Sequence, residues 1–272
     1  MKKTALWLLS FLITVFFALF QRMTGPTYPI KGADISVAGT QVASYRLPRS
    51  CTTAGGDCVV KIKPGLPLEG YLLWKRYKTG DALQRVPLTY KDGLLSGLLP
   101  DQPPAGKLEY RVFLKGAGGE GELSGAPVIT RFKGAVPAWA LVPHIIFIFS
   151  FMFFSVRIFL SVFFTGLTVR HAVPLNLVFL LLGGFIFGPV VQHYAFGQAW
   201  TGFPFGYDLT DNKTLLMLLA WLPALYVVVT ERNYRPWIIL AFAVTALVYL
   251  VPHSMFGSEL DYNKGEVVTG GR

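Results

Sequence analysis

Four histidines are the side chains of this sequence best suited to hold a cofactor. His144, His193 and His253 lie in or at the ends of apolar segments, and His171 lies between two such segments. Neutral imidazoles ligate haem iron and transition metals, and haem b in a helical bundle needs two that face each other. An ionisable group inside an apolar segment also suggests a functional site. His144, His193 and His253 are therefore candidate ligands for haem, a metal or a quinone.

The alternative for the same residues is structural. Pro143 precedes His144 and Pro252 precedes His253, and a proline frees helix carbonyls that an imidazole can bond. His193 and His253 also lie close enough to the segment ends to meet water and headgroups. We expect a structural role for these histidines and predict no bound cofactor, with haem b as the alternative.

A second candidate site is the loop of residues 194–207, in which aromatic residues alternate with glycines. Such a loop is typical of the aromatic belt at a membrane interface. It equally suits a rigid platform that docks the β domain, a partner subunit or a lipid-like ligand. The candidate partner-binding residues are Trp200, Phe203, Phe205 and Tyr207. The Asp and Asn residues that follow predict the N-cap of a helix rather than a calcium loop.

The elements that must position these residues are mostly apolar. The chain is 53% hydrophobic and only 15% charged, whereas about a quarter of the residues of a soluble domain are charged. Uncharged runs predict five transmembrane helices at residues 5–20, 138–156, 175–191, 215–230 and 237–251. The segment 158–169 is too short for a further crossing, so it either extends the preceding helix or lies in the interface.

The short loops predict the orientation of these helices, because Lys and Arg accumulate on the inner side. One set of helix ends carries Lys2, Lys3, Arg157, Arg170, Arg232 and Arg235. We therefore expect a bacterial cytoplasmic membrane protein with its N-terminus inside and its C-terminus outside. Arg157 marks the inner end of the second helix in this interpretation. The first helix is expected to be an uncleaved anchor, since no small-x-small cleavage site follows it.

Between the first two helices the sequence predicts β structure. Residues 35–132 contain about seven short runs of β-forming residues bounded by turns, and Asp92-Gly93 is a typical hairpin turn. Spacing of this kind indicates an antiparallel sandwich. Cys51 and Cys58, separated by a short segment containing Gly55 and Gly56, suit a disulfide-closed loop in an exported domain.

Several strings in this segment carry a resemblance. GYLLWKRY at 70–77, VPL at 86–88 and LPDQPPAGKLEY at 99–110 resemble immunoglobulin-like and fibronectin type III-like modules of bacterial extracytoplasmic proteins, over residues 32–133. This resemblance implies a binding or spacer module without catalytic residues. The strings QHYAFG at 192–197, WTGFPFGYDLTDNK at 200–213 and PHSMFGSELDY at 252–262 resemble only uncharacterised bacterial membrane proteins, which implies no activity.

The predicted organisation has four parts. Residues 1–23 form a transmembrane anchor, 24–135 an extracytoplasmic sandwich, 136–256 a four-span membrane domain, and 257–272 a flexible tail. The net charge of +10 is spread thinly and no nucleic-acid motif is present, so the lipid bilayer and other membrane or envelope proteins are the expected partners. A non-enzymatic binding or assembly role is predicted first, a haem- or quinone-binding redox subunit second, and a transporter component third.

Overall fold

The computed structural model describes residues 3–164, 167–253, 255 and 257–269. The chain divides into two compact units. The helical unit comprises residues 1–26, 136–257 and 269–272, and the β unit comprises residues 27–135 and 258–268. The sequence predicts domain boundaries at 23/24 and 135/136, and the units divide at 26/27 and 135/136. The main difference is that residues 258–268 belong to the β unit.

The helical unit contains helices whose side chains are apolar for most of their length. They are α1 (Lys3–Thr24), α2 (Ala138–Phe163), α3 (Val169–Leu180), a π-helical segment (Leu181–Phe187), α4 (Gly188–Phe196), α5 (Leu209–Val229) and α6 (Arg235–Leu250). Among the described residues, four continuous helices are long and apolar enough to cross a membrane: α1, α2, the run Val169–Phe196 and α5. Helix α6 is apolar but has only 16 residues.

The helices extend beyond the predicted spans. Helix α2 continues for seven residues past 156, so the apolar residues from Ile158 belong to the same helix. Arg157 therefore does not mark the end of α2, and it is fully buried. The third helix begins at Val169 and includes Pro174 as its sixth residue, although a proline there lacks the N–H that would bond the Arg170 carbonyl.

Buried polar side chains join pairs of helices. The Asn176 side chain donates a hydrogen bond to Ser155 Oγ at 3.0 Å, which links α3 to α2. Trp221 Nε1 donates to Thr245 Oγ1 at 2.9 Å, which links α5 to α6. The Tyr249 hydroxyl donates to the Ile148 carbonyl at 2.8 Å. Each bond satisfies a group that would be costly to leave unpaired in an apolar interior.

The β unit contains short strands separated by turns. They are β1 (Ile30–Val37), β2 (Thr40–Leu47), β3 (Ser50–Thr52), β4 (Val59–Pro64), β5 (Glu69–Arg76), β6 (Gln84–Pro87), β7 (Thr89–Lys91), β8 (Leu94–Leu98), β9 (Lys107–Gly116), β10 (Gly119–Glu122), β11 (Val128–Lys133), β12 (Glu259–Asp261) and β13 (Glu266–Val268). The predicted Asp92-Gly93 turn joins β7 to β8, and both residues have the positive φ that this turn requires.

These strands form two sheets that share one core. The first has the order β1-β2-β4-β8-β7, and the second has the order β3-β11-β9-β5-β6, with β10 beside β9. Strand β9 alternates buried and half-buried residues along most of its length, as expected of a strand with one face on a core. Buried residues of both sheets, including Val60, Ile62, Leu72 and Val112, form one hydrophobic cluster.

A disulfide joins Cys51 in β3 to Cys58, one residue before β4. Both cysteines are buried in the hydrophobic cluster of the β unit. Strand β3 pairs in parallel with β11, with Cys51 opposite Phe132. The bond therefore ties an edge strand of one sheet to a central strand of the other.

Residues 258–268 belong to the β unit, although composition predicts a flexible tail from residue 257. Strands β12 and β13 form a hairpin, and the Leu260 amide donates to the Ala105 carbonyl at 3.0 Å. Glu259 pairs with Lys107 and with Lys78. The Tyr262 hydroxyl lies 3.0 Å from Gln102 Oε1 and 3.1 Å from the Lys107 carbonyl, which share its one proton. Burial raises the pKa of Tyr262 to about 12.

The ion pairs of the hairpin are partly withdrawn from water. Burial alone would raise the pKa of Glu259, but the hydrogen bonds and charges of Lys107 and Lys78 outweigh it and the pKa is lowered. Burial dominates at Lys107, whose pKa is lowered, whereas the hydrogen bond to Glu259 raises the pKa of Lys78. Acidification should therefore weaken the attachment of the hairpin by protonating Glu259.

Glu259→Gln should loosen the hairpin, because a neutral amide keeps a hydrogen-bond acceptor but loses both ionic partners. We expect amide hydrogen exchange at Leu260 to become about tenfold faster, the effect of losing one charge-assisted hydrogen bond. In the wild type the stabilisation is present above the ordinary pKa of a glutamate. It is lost as the pH falls through the lowered pKa of Glu259.

Glu266→Gln is the matched control, since Glu266 is exposed on the same hairpin. Its exchange profile should follow that of the wild type. Equal loosening by the two substitutions would mean that backbone pairing alone holds the hairpin.

Candidate functional site

His144 lies in the first turns of α2 and contacts the π-helical segment. Its Nδ1 is 2.9 Å from the Gly183 carbonyl, so Nδ1 carries the proton in this contact. Gly188 N–H also donates to that carbonyl, five residues on, which is the π-helical pattern. A Cβ on Gly183 would lie 2.8 Å from the Ile148 backbone nitrogen. Glycine therefore permits the close approach of the two helices at which His144 forms its bond.

The other histidines occupy different surroundings. His193 is exposed in α4 beside the Tyr194 ring, with 6.2 Å between the ring centroids. His253 is exposed just after α6, and His171 is exposed in the first turn of α3. In the part of the chain that the structure describes, no three His, Cys, Asp or Glu side chains are grouped as metal ligands. The geometry at His144 corresponds to the structural interpretation of that residue.

The central loop is fixed to the first turn of α5. Asp208 caps the helix, accepting from the Thr210 and Asp211 amides, as its sequence position predicts. The Thr201 amide donates to Asp211 Oδ2 at 2.6 Å, and the Phe203 amide donates to Asn212 Oδ1 at 2.7 Å. The backbone conformation of the loop is thus determined by polar side chains of α5.

The four aromatic residues predicted to bind a partner divide into two groups. Trp200 stacks on Phe185 at 5.4 Å and donates from Nε1 to the Phe203 carbonyl, so it supports the loop from within. Phe203, Phe205 and Tyr207 are 65%, 83% and 72% exposed. These three residues are called the aromatic surface below.

Lys213 is a functional group that sequence reasoning missed. It is buried in the second turn of α5, and its Nζ donates to the carbonyls of Val251 and Pro252 at 3.0 and 3.3 Å. These carbonyls follow α6, where backbone acceptors have no partner within the helix. Lys213 therefore closes the end of α6, and only its position beside the Asp-Asn cap hints at this in the sequence.

Arg157 is the most unusual polar group of the helical unit. Its side chain is fully buried, and its guanidinium carbon lies 5.0 Å from the centroid of the Trp7 ring. No described residue accepts a hydrogen bond from its three guanidinium nitrogens. A desolvated cation–π contact is worth about 2 kcal/mol, while burying an ion costs several kcal/mol. The contact with Trp7 alone does not offset the burial.

The β unit has a cleft of about 240 Å³ where β5, β6 and the end of β8 meet. It is lined by the aromatic ring of Trp74 and by polar side chains that include Gln84, Arg85 and Asp101. Arg85 also stacks over the outer face of Tyr71 at 3.7 Å. The cleft is smaller than most small-molecule sites, which occupy about 300–1,000 Å³.

Comparisons with known proteins give no family. No family model and no curated protein matches the chain. Among the solved structures that match the chain is one named "Crystal structure of Br derivative BhCBM56". The match has 12% identity and a TM-score of 0.26, and it covers 37% of this chain and 99% of that chain.

Substitution of His144 tests its role. His144→Leu removes the donor to the Gly183 carbonyl and should destabilise the helical unit by about 1–2 kcal/mol. His144→Gln keeps a donor and should cost less. Thermal unfolding in detergent measures the difference, with His193→Leu as the exposed control.

The same preparations test the cofactor prediction. We expect colourless protein without a Soret band or stoichiometric metal. A haem spectrum near one per chain that disappears in His144→Gln or His193→Gln would make those residues ligands instead.

Proposed function

We propose that this chain is an integral membrane protein that serves as a non-enzymatic binding or assembly component of a bacterial cell-envelope complex. In this proposal its N-terminus lies inside, and an immunoglobulin-like sandwich and the C-terminal hairpin lie outside. The aromatic surface carries the proposal, because three large apolar side chains are exposed on a loop whose backbone is fixed.

Chain connectivity supports five crossings. The β unit follows α1 directly and precedes α2, and the hairpin after α6 belongs to the same unit. Residues 251–257 can extend over at most about 25 Å, less than the roughly 30 Å hydrocarbon core. If α2, the run Val169–Phe196 and α5 cross the bilayer, the short helix α6 must cross it as well to return the chain to the sandwich.

Strand order supports the immunoglobulin-like assignment of the β unit. An immunoglobulin constant-type sandwich has the strand order ABED in one sheet and CFG in the other. Taking β2, β4, β5, β7, β8, β9 and β11 as A to G in chain order gives β2-β4-β8-β7 and β5-β9-β11. Such a module presents loops and edges for binding, which suits an assembly role.

The aromatic surface suits a protein partner with an apolar face. Aromatic side chains have few rotatable bonds, so fixing them in an interface costs little entropy. The Phe203 amide and Thr201 are already held by Asn212 and Asp211, which removes most of the backbone ordering cost too. An interfacial belt needs aromatic residues at headgroup depth but does not require a loop held by this many polar bonds.

Two asparagines test the orientation. Asn263 is exposed in the hairpin turn, and Asn233 is exposed between α5 and α6. In intact cells, a membrane-impermeant thiol reagent should label Asn263→Cys and leave Asn233→Cys unlabelled until the membrane is permeabilised. Labelling of both residues in intact cells would contradict the proposed topology.

Site-specific photocrosslinking tests the partner. A photoreactive residue at Phe205 or Tyr207 should give a discrete protein adduct in membranes. The control is Leu247, which is 65% exposed on α6 and should react with lipid alone. Lipid adducts at all three positions would assign the loop to the aromatic belt and overturn the assembly role.

A further inference from the structure

We propose that Arg157 binds the phosphate group of an anionic lipid at the end of the helical unit where α1 begins and α2 ends. This site is separate from the aromatic surface. It involves neither the β unit nor the histidines. Its ligand class follows from the chemistry of one buried cation and its surroundings.

The guanidinium of Arg157 carries only hydrogen-bond donors, and no described residue accepts from it. It is fully buried, and Nε and both terminal nitrogens lack a hydrogen-bond partner among the described residues. Arginine stays charged at every physiological pH and presents its donors as a planar fork. A fork of this kind binds two oxygens of one phosphate group at once.

The described carboxylates of the helical unit are committed elsewhere. Asp208 caps α5, and Asp211 accepts from the Thr201 amide. Glu231, between α5 and α6, forms an ion pair with Arg170. No salt bridge among the described residues involves Arg157, and in this proposal the anion that pairs with it comes from a lipid.

The location of Arg157 favours a lipid phosphate. It lies six residues before the end of α2 at Phe163, roughly 9 Å along the helix, which is a depth that headgroup phosphates can approach. Trp7, which covers the guanidinium, is only half-buried and is in the second turn of α1. The guanidinium therefore lies against a residue that is itself partly exposed at the surface of the unit.

Other basic residues share this end of the helical unit. Arg170 is the second residue of α3, and its ion pair with Glu231 connects the start of α3 to the α5–α6 turn. Arg235 begins α6 and is exposed. Clustered Lys and Arg beside a membrane attract anionic lipids, so a lipid that reaches Arg157 is concentrated by its neighbours first.

Lipid retention by the purified full-length chain tests the site. The protein in detergent is titrated with phosphatidylglycerol, with phosphatidylcholine and, separately, with inorganic phosphate. Native mass spectrometry counts the bound molecules. We expect the wild type to retain one phosphatidylglycerol in preference to phosphatidylcholine, and Arg157→Gln to bind it at least about tenfold more weakly.

Arg235→Gln is the matched control, because it removes an exposed cation from the same end. It should keep the retained lipid. Arg157→Lys keeps the charge but loses the fork, so it should fold as the wild type does and still bind phosphatidylglycerol more weakly. This variant provides the comparison if Arg157→Gln does not fold.

The outcomes separate the ligand sources. Binding of inorganic phosphate that depends on Arg157, without lipid retention, would keep the phosphate site and assign it to a soluble ligand. Equal lipid retention by the wild type, Arg157→Gln and Arg157→Lys would overturn the proposal. Neither result affects the photocrosslinking at Phe205, so the two proposals fail independently.

Discussion

The pairing of the C-terminal hairpin with the sandwich constrains the whole chain. The Leu260 amide bonds to Ala105, and Glu259 reaches Lys107 and Lys78. These contacts join residues about 150 positions apart in the sequence, since Lys107 and Glu259 are separated by 152. The chain leaves the β unit after residue 135, forms α2 to α6, and returns to the same unit at residue 258. Closure of so long a segment is entropically costly, and the ionic contacts of Glu259 help to offset it.

The same closure gives a reason for the short last helix. Helix α6 has 16 residues, roughly 24 Å of helix. The carbonyls of Val251 and Pro252, the two residues that follow α6, accept hydrogen bonds from Lys213 Nζ. A buried lysine on the neighbouring helix thus replaces the missing turn.

Much of this fold could be predicted from the sequence, and the failures have a common cause. Uncharged runs located every helix, and turn residues located most strands of the sandwich. The end of α2 was misjudged, because a charge in an apolar run is usually taken to reach water by snorkelling. Here Trp7, on a different helix, covers Arg157. The hairpin was missed because its partners lie in distant sequence and its own composition resembles that of a flexible tail.

The candidate sites divide in the same way. The Asp208 cap depends on local chemistry and corresponds to what the sequence predicts. His144 instead bonds the Gly183 carbonyl of another helix, rather than a carbonyl freed by the neighbouring Pro143. The sequence does not predict which aromatic residues of the loop are packed and which are exposed. Whether Trp200 contacts Phe185 or faces the exterior depends on how the loop folds back. The burial of Lys213 and of Arg157 could not be predicted either, because the sequence does not show which neighbour covers a charged side chain.

Small polar groups and cations face different constraints inside the helical unit. The hydroxyls of Ser10, Thr14 and Thr245 each donate to the carbonyl four residues earlier in their own helix, so a buried hydroxyl needs no external partner. Lys213 reaches carbonyls left free at a helix end. Arg157 lies inside α2, where the surrounding carbonyls are already used by the helix. A guanidinium in that position has five donors and no hydrogen-bond acceptor among the described residues, which is why we infer an anionic lipid as its partner.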